Sequence, residues 1–351
     1  MITREQNRDE YLAFRPSDFG LPEKSLYFDI ETTGFSAYSS QLYLIGVLYE
    51  EEGSMKNRQW LAESFAEEQA VLRAFFSFAE AFDALVSYNG DGFDLRYLKD
   101  CADQYRLPFS LNKLIHIDLM KECRKSKKLT GLTSFRLKAV EAFLGIKRED
   151  LYSGGELIPV YERFTAEKKE EQLKLLLLHN LEDIEGLLGL LPMLSYNALL
   201  AAPDIRNLRT VLSEDGALIL TASIPQPVPV PVVCSLKSGN RLSLRDKTIE
   251  LEVPLSFGTL RRYYRDFRSY DFLIDEGYAI HRKLSAFVDA SKKVPATKET
   301  CYTLYSGQFA ALPAGYEPEA VFKERYDAKT KYAEASKIDP EAYLLACLKE
   351  L

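Results

Sequence analysis

Two carboxylates stand two residues apart at the end of an apolar run, Leu26-Tyr27-Phe28-Asp29-Ile30-Glu31, followed by Thr32-Thr33-Gly34. Side chains two apart in a strand share a face. Asp29 and Glu31 therefore point one way while Phe28 and Ile30 enter a core. Acids held this close repel each other unless a cation neutralises them, and hard oxygen donors suit Mg²⁺ or Mn²⁺. Two solvated acids at a strand end are the plain alternative, so partners further along must decide. Asn89-Gly90-Asp91-Gly92-Phe93-Asp94 lies where an apolar strand (84–88) runs into a helix. Its glycines leave the backbone open, and Asp94 faces the sheet edge, although an acid there also serves as a helix cap. In Leu178-His179-Asn180-Leu181-Glu182-Asp183-Ile184, His179 and Asp183 are four residues apart on one helix face. A surface hydrogen bond uses the same spacing. Glu182 competes with Asp183 as a ligand, though one helical step turns it about 100° away.

The elements that must position these residues follow from the pattern. Residues 1–24 read as a polar lead-in, with Pro16 and Pro22 discouraging regular structure. Strands over 26–30, 42–49 and 59–62, joined by short turns, suggest a meander. A helix over 66–82, the strand over 84–88, a helix over 94–105 and a fifth strand over 114–118 come next. The pattern is then helical to 196. This order implies a mixed five-stranded sheet with helices on its faces, an α/β arrangement. Near residue 200 the character changes. Pro225, Pro227, Pro229 and Pro231 mark an extended segment excluded from a central strand. Residues 241–244 and 248–253 alternate around Arg245-Asp246-Lys247 as a hairpin, 278–289 suggests a helix, and 340–351 a closing helix with Pro340 in its first turn. The expected domains are the lead-in 1–24, the sheet-and-helix domain 25–200 and a smaller α+β module over 201–351.

Composition removes several classes. With 46% apolar and 28% charged residues among 351, the chain is an ordinary globular protein. Its leucine-rich stretch 173–194 is interrupted by His179, Glu182, Asp183 and Glu185, so no membrane span is expected. The first twenty residues lack an apolar signal core, and a cytoplasmic location is expected. Five scattered cysteines and three histidines disfavour disulfides and structural zinc. The net charge of −7 divides into −8 over residues 1–203 and +1 over 204–351, so no globally basic nucleic-acid coat exists. An acidic half remains compatible with a metal-dependent nuclease, because bound metals reverse the local field.

Together, in this order and spacing, the three segments resemble the DEDD-type 3′→5′ exonuclease superfamily with its ribonuclease H-like fold, over roughly residues 25–200. Asp29 and Glu31 match its first motif, Asp94 its second and Asp183 its third. The 132–146 segment and the 179–184 string carry a narrower resemblance to YprB-like ribonuclease H-like proteins. The resemblance implies hydrolysis of phosphodiesters at single-stranded DNA or RNA ends with two divalent ions, Mg²⁺ or Mn²⁺, roughly 3.5–4 Å apart. It makes Asp29, Glu31, Asp94 and Asp183 the ligands, with Asp29 bridging. His179 would orient or deprotonate the attacking water. The superfamily's histidine branch places His five residues before the last Asp, and its tyrosine branch places Tyr four before. Here a His stands at the tyrosine spacing.

Thr32, Asn89, Phe93 and Lys125 are expected near substrate, with Asn89 better suited to holding its turn than to touching substrate. Lys125 belongs to a basic run with Lys121, Arg124, Lys127 and Lys128 that reads as a phosphate track or a solvated loop. Asp118, after an apolar strand, is a candidate helix cap. The stretch 261–270 mixes arginines with aromatics, which suits a stacked single strand or an element that buries its rings. Two other readings share the fold: a nucleic-acid-binding scaffold without turnover, and an endonuclease using the same carboxylates.

Overall fold

The chain opens with a strand that its polar sequence hides. In the computed structural model, which describes residues 1–11, 15–150 and 152–351, Ile2–Asn7 (β1) pairs antiparallel with Ser54–Leu61 (β4). The expected irregular lead-in is corrected here, and its residues 12–14 lie outside the described ones. β1 is a solvent-facing edge, so it needs no apolar alternation. The backbone ladder and a cross-strand pair, Glu5 opposite Arg58 with a 2.6 Å hydrogen bond, hold it in place.

The remaining strands of this unit are Ser25–Thr32 (β2), Leu42–Glu51 (β3), Ala84–Ser87 (β5) and Ile115–Asp118 (β6). Their order is β1-β4-β3-β2-β5-β6, with β5 parallel to both neighbours and the rest antiparallel. The sheet is mixed as expected, with six strands instead of five. β4 also starts five residues earlier than its apolar part suggests. It alternates buried Met55, Asn57 and Gln59 with more exposed polar residues, and the two buried amides hide the pattern. Their hydrogen bonds make the burial tolerable: Asn57 Nδ2 donates to Val47 O at 3.1 Å and Gln59 Nε2 to Leu177 O at 2.9 Å.

Helices Glu68–Ala79 (α1), Asp94–Tyr105 (α2), Leu119–Lys125 (α3), Lys127–Thr130 (α4), Leu137–Leu144 (α5), Gly154–Glu167 (α6), Glu170–Gly189 (α7) and Leu194–Ala201 (α8) complete this part. Strand alternation sorts β2 between two cores. Leu26, Phe28 and Ile30 pack with Val71, Leu72 and Phe75 of α1 and Leu98 of α2. On the opposite face, Tyr43, Leu44 and Leu61 pack with Tyr161 and Phe164 of α6 and Leu173 and Leu176 of α7. Asp29 and Glu31 belong to this second face. The helical stretch 170–201 is long and apolar enough by composition to cross a membrane, and most of it is buried as a core helix.

Gly46 lets α7 come down onto that face. It lies opposite Asp29 in the β2–β3 register, and a Cβ there would stand 1.9 Å from Asn180 Oδ1 and 2.3 Å from Ile184 Cδ1. Gly46→Ala is expected to push α7 outward and destabilise the unit by about 1–3 kcal/mol. Urea denaturation checks this, and an unchanged midpoint would contradict the close approach.

Residues Met1–Ala198 form one compact unit and Leu199–Leu351 a second. In the latter, Arg206–Leu212 (β7), Leu218–Ser223 (β8), Val232–Ser235 (β9), Arg241–Arg245 (β10) and Thr248–Val253 (β11) form a sheet ordered β7-β8-β11-β10-β9. The expected hairpin is β10–β11, turning at Asp246 with φ 50°. Two three-stranded sheets follow. One contains Leu255–Tyr263 (β12), Tyr302–Ala311 (β16) and Tyr332–Glu334 (β17); the other Tyr270–Leu273 (β13), Tyr278–His281 (β14) and Lys293–Pro295 (β15). The helix expected over 278–289 is instead β14 followed by the single-turn Arg282–Ser285 (α9). Backbone pairing of Tyr278–His281 with β13 wins over local propensity. The closing helix is Pro340–Leu348 (α10), capped by the Asp339 side chain.

Candidate active site

β2 delivers Asp29 and Glu31 side by side, and a bulge between Glu31 and Thr32 ends the regular pairing just after them. Glu31 is buried and Asp29 half-buried. α2 delivers buried Asp94 as its first residue. Gly90 makes room, since a Cβ there would strike Ser87 Oγ and lie 3.8 Å from Asp94 Oδ2. α7 delivers His179, Asn180 and Asp183. His179 and Asn180 interrupt the helix's buried leucine stripe, so each requires a buried polar partner.

Asn180 Nδ2 donates to Asp29 Oδ2 at 3.0 Å, while its Oδ1 accepts from Gln59 Nε2 at 2.9 Å. This chain of amides from β4 through α7 fixes one Asp29 oxygen. His179 Nδ1 meets Asp150 Oδ2 at 2.6 Å. Its Nε2 stands 3.5 Å from Glu31 Oε1 and 3.7 Å from Asp183 Oδ2. Glu31, His179 and Asp183 each present a donor atom within 4.8 Å of the others.

The electrostatics show that the four acids share one space. Burial, then the charges of Asp183, Glu31 and Asp94, hold the Asp29 carboxyl well above its ordinary pKa; the Asn180 hydrogen bond opposes this. Burial, Asp183 and Asp94 raise Glu31 likewise, and the Tyr43 hydroxyl opposes the rise from nearby without closing a well-formed hydrogen bond. Burial pushes Asp94 up to about 7 against its own and the Ile30 backbone N–H, with Asp118 and Asp183 adding to the rise. Acids that resist ionising together form a site with unmet demand for positive charge. The donor set of carboxylate oxygens and one imidazole nitrogen fits Mg²⁺ or, with the nitrogen included, Mn²⁺.

These shifts have a signed consequence. Between its ordinary pKa and about 7, folded Asp94 keeps a proton that the unfolded chain has released. The cluster's contribution to stability is therefore greatest at low pH and lost as pH rises through that window. In EDTA, the melting temperature is expected to fall from about pH 5 to about pH 8, less steeply in Asp94→Asn. Millimolar Mn²⁺ recovers more of it at the upper pH than at the lower. Equal pH slopes for wild type and variant would contradict the shared-charge account.

The loop 148–150, which carries none of the motifs, fastens the face of α7 that holds His179 and Asp183. Arg148 grips buried Glu141 of α5 through Nε and Nη2, both at 2.7 Å, and reaches Asp183 Oδ1 through Nη1. Burial works against the Arg148 charge, yet Glu141 and Asp183 hold its pKa above the usual range. Gly186 leaves space for this pair, since its Cβ would meet Glu141 Oε1 at 2.2 Å. The Glu182 carboxylate is engaged by this loop: it accepts the Glu149 and Asp150 amides at 2.8 and 2.9 Å and ties the loop down. Burial alone lifts Asp150, but hydrogen bonds from His179 and the Tyr152 amide carry it below the ordinary carboxylate value.

The other sequence candidates divide. Asp118 caps α3 and also accepts the Asn89 amide at 2.9 Å. Asn89, at φ 62°, holds the turn through its backbone. The Thr32 hydroxyl donates to Gly34 O at 2.7 Å. The Phe93 ring is half-buried between Tyr97 and the exposed Phe35. Lys125 is exposed and paired with Glu122, and Lys121 with Asp91.

Residues 26–195 match the family model described as the RNase_H superfamily. No curated protein sequence matches. Among solved structures, the chain is similar to the family B DNA polymerase from the hyperthermophilic archaeon Pyrobaculum calidifontis, with 17% identity and a TM-score of 0.40 over 71% of this chain and 35% of that one. It is also similar to exonuclease I, with 13% identity and a TM-score of 0.34 over 56% of this chain and 55% of that one. The chain thus spans about a third of the polymerase and about half of exonuclease I.

Proposed function

We propose that the protein, whose residues 26–195 match the RNase_H superfamily model, is a metal-dependent nuclease of the DEDD type, a 3′→5′ exonuclease on single-stranded DNA or RNA. The observation that carries this reading is the convergence of Asp29, Glu31, Asp94 and Asp183 beside His179, where burial and the neighbouring charges raise the proton affinity of the first three. The 3′→5′ direction rests on the resemblance of the three motifs.

Asp29, Glu31, Asp94 and Asp183 would hold two divalent ions, which supply water activation and stabilisation of the leaving 3′ oxygen in such sites. The chain's own residues arrange the rest. Asp150, ionised, accepts the His179 Nδ1–H and leaves the lone pair on Nε2, which faces the carboxylates. Nε2 can then take the proton of the attacking water, as a histidine oriented by a third group does. Attack breaks the P–O3′ bond, leaving a 3′-hydroxyl on the shortened strand and a nucleoside 5′-monophosphate. The tyrosine-like spacing of His179 suits this role, because one helical turn puts it and Asp183 under the same loop. Asp150→Asn is expected to lower kcat by about 10²-fold with little change in KM, within the range of general-base contributions. An unaltered kcat would remove Asp150 from the mechanism.

The reading is tested with 5′-labelled single-stranded DNA and RNA oligomers incubated with Mn²⁺, Mg²⁺ or EDTA. A metal-dependent ladder shortening from the unlabelled 3′ end is expected, with circular single strands left intact. Cut circles would make the protein an endonuclease on the same carboxylates, and intact substrate under every condition would leave a binding protein.

A further inference from the structure

The stretch 261–270 divides its rings between two destinations. Tyr264, Phe267 and Tyr270 pack against Ala279, Ala296 and Cys301 in a small core. Arg261 and Tyr263 instead look outward from β12, with Tyr302 directly opposite Tyr263 on β16. Tyr326 closes a third side. Tyr263 meets Tyr302 at 5.3 Å and 62° between ring planes, and Tyr326 at 5.5 Å and 69°. Together with Arg325 they surround an open cavity of 450 Å³, within the range of about 300–1,000 Å³ usual for small-ligand clefts.

We propose that this cavity, and the outward strand face leading from it, hold single-stranded nucleic acid by base stacking and phosphate contact. The outward face continues from Tyr263 and Arg261 through Thr259 to Phe257, which is 86% exposed, a run of about 20 Å at strand rise. Leu304 and Ser306 line the same face from β16, and the Ser306 hydroxyl meets that of Thr259 at 2.7 Å. Aromatic faces interleaved with arginine and hydroxyls suit a strand whose bases are unstacked and whose backbone is anionic. An aromatic cage for an alkylated ammonium ion is the competing use of three tyrosines. The charges decide against it. The Arg261 guanidinium already lies 5.1 Å from the Tyr302 ring centre, and of the acids at the rim, Asp327 is paired with Arg325 at 3.0 Å, leaving Glu299 to face the cavity. Arg261 also donates to Glu324 O, which holds the guanidinium in place while only part of its five-donor fork is used.

The inference builds on the nuclease reading for its choice of polymer, yet its test is independent of turnover. Fluorescein-labelled oligothymidylate and oligouridylate of about 12 nucleotides, a usual span for single-strand modules, are titrated with the full chain in EDTA. Tyr326→Ala is expected to raise Kd by about 5-fold or more. Arg261→Ala/Arg325→Ala is expected to lower the slope of log K against log salt by about 0.7 for each phosphate left without its cation. Tyr326 and Arg325 are exposed and Arg261 is half-buried on the outward strand face, and an unchanged melting temperature checks that both variants keep the fold. Wild-type Kd and salt slope in both variants would overturn the proposal even if the protein degrades nucleic acid. Tyr326-dependent binding without degradation would uphold it while the nuclease reading fails. A trimethyl-lysine peptide that binds through Tyr326 while the oligomers do not would assign the cavity to cations and overturn it.

Discussion

Asp29→Asn/Glu31→Gln is expected to hydrolyse nucleic acid at least about 10³-fold more slowly than wild type, a loss of roughly 4 kcal/mol of transition-state stabilisation. The same substitutions are expected to raise the melting temperature of the metal-free protein. Both effects have one source. Burial and mutual repulsion hold the two carboxyls well above their ordinary pKa, so the fold bears the cost of their ionisation at neutral pH. The neutral isosteres remove that cost. The carboxamide oxygen introduced by Asp29→Asn can still accept the hydrogen bond that Asn180 gives Asp29, so the strand and helix stay in register. Differential scanning fluorimetry in EDTA, paired with the labelled-oligomer assay, checks both halves. A variant that is inactive and also strongly destabilised would mean that the acids hold the fold together, contrary to the charges described.

Arg148→Met is the second large effect. The Glu141 side chain, 2% exposed, would lose its bidentate partner and remain as a buried charge, which costs about 3–5 kcal/mol. Glu141→Gln/Arg148→Met removes both charges and is expected to recover most of that stability, because deleting a whole buried pair is often nearly neutral. Activity is not expected to recover. Asp183 Oδ1 would still lack the guanidinium that fixes the carboxylate on α7, and a misplaced acid of this kind costs about 10²-fold in rate. Chemical denaturation and turnover are measured on both proteins. A double variant that regains stability and full activity would show that Arg148 serves α5 packing alone.

The motif residues were legible because each depends on local geometry. Strand alternation puts Asp29 and Glu31 on one face, a glycine-rich junction opens α2 at Asp94, and a four-residue step pairs His179 with Asp183. The residues that hold them were not legible, because tertiary packing selects them. Lys147-Arg148-Glu149-Asp150 is a charged run inside a stretch read as helical, yet it forms a loop whose Arg148 and Asp150 side chains are buried against α7 while Glu182 pins the backbone between. Gly46 and Gly186 carried a usable signal: a glycine inside a strand or helix often marks a close approach. Two polar residues inside the leucine stripe of α7 carried another. β1 and the first half of β4 escaped for a different reason, since an exposed edge and buried amides both erase apolar alternation. At Tyr278–His281 the helical pattern lost to pairing with β13, which lies outside any local window.

The central claim is that these carboxylates form a divalent-metal centre, and Mn²⁺ binding followed by titration calorimetry at about pH 8, above the raised Asp94 pKa, tests it most directly. The wild-type chain is expected to bind about two ions with release of protons, and Asp29→Asn/Glu31→Gln to lose that binding while keeping its fold. Absence of binding in the wild type, or equal binding in the variant, would contradict it.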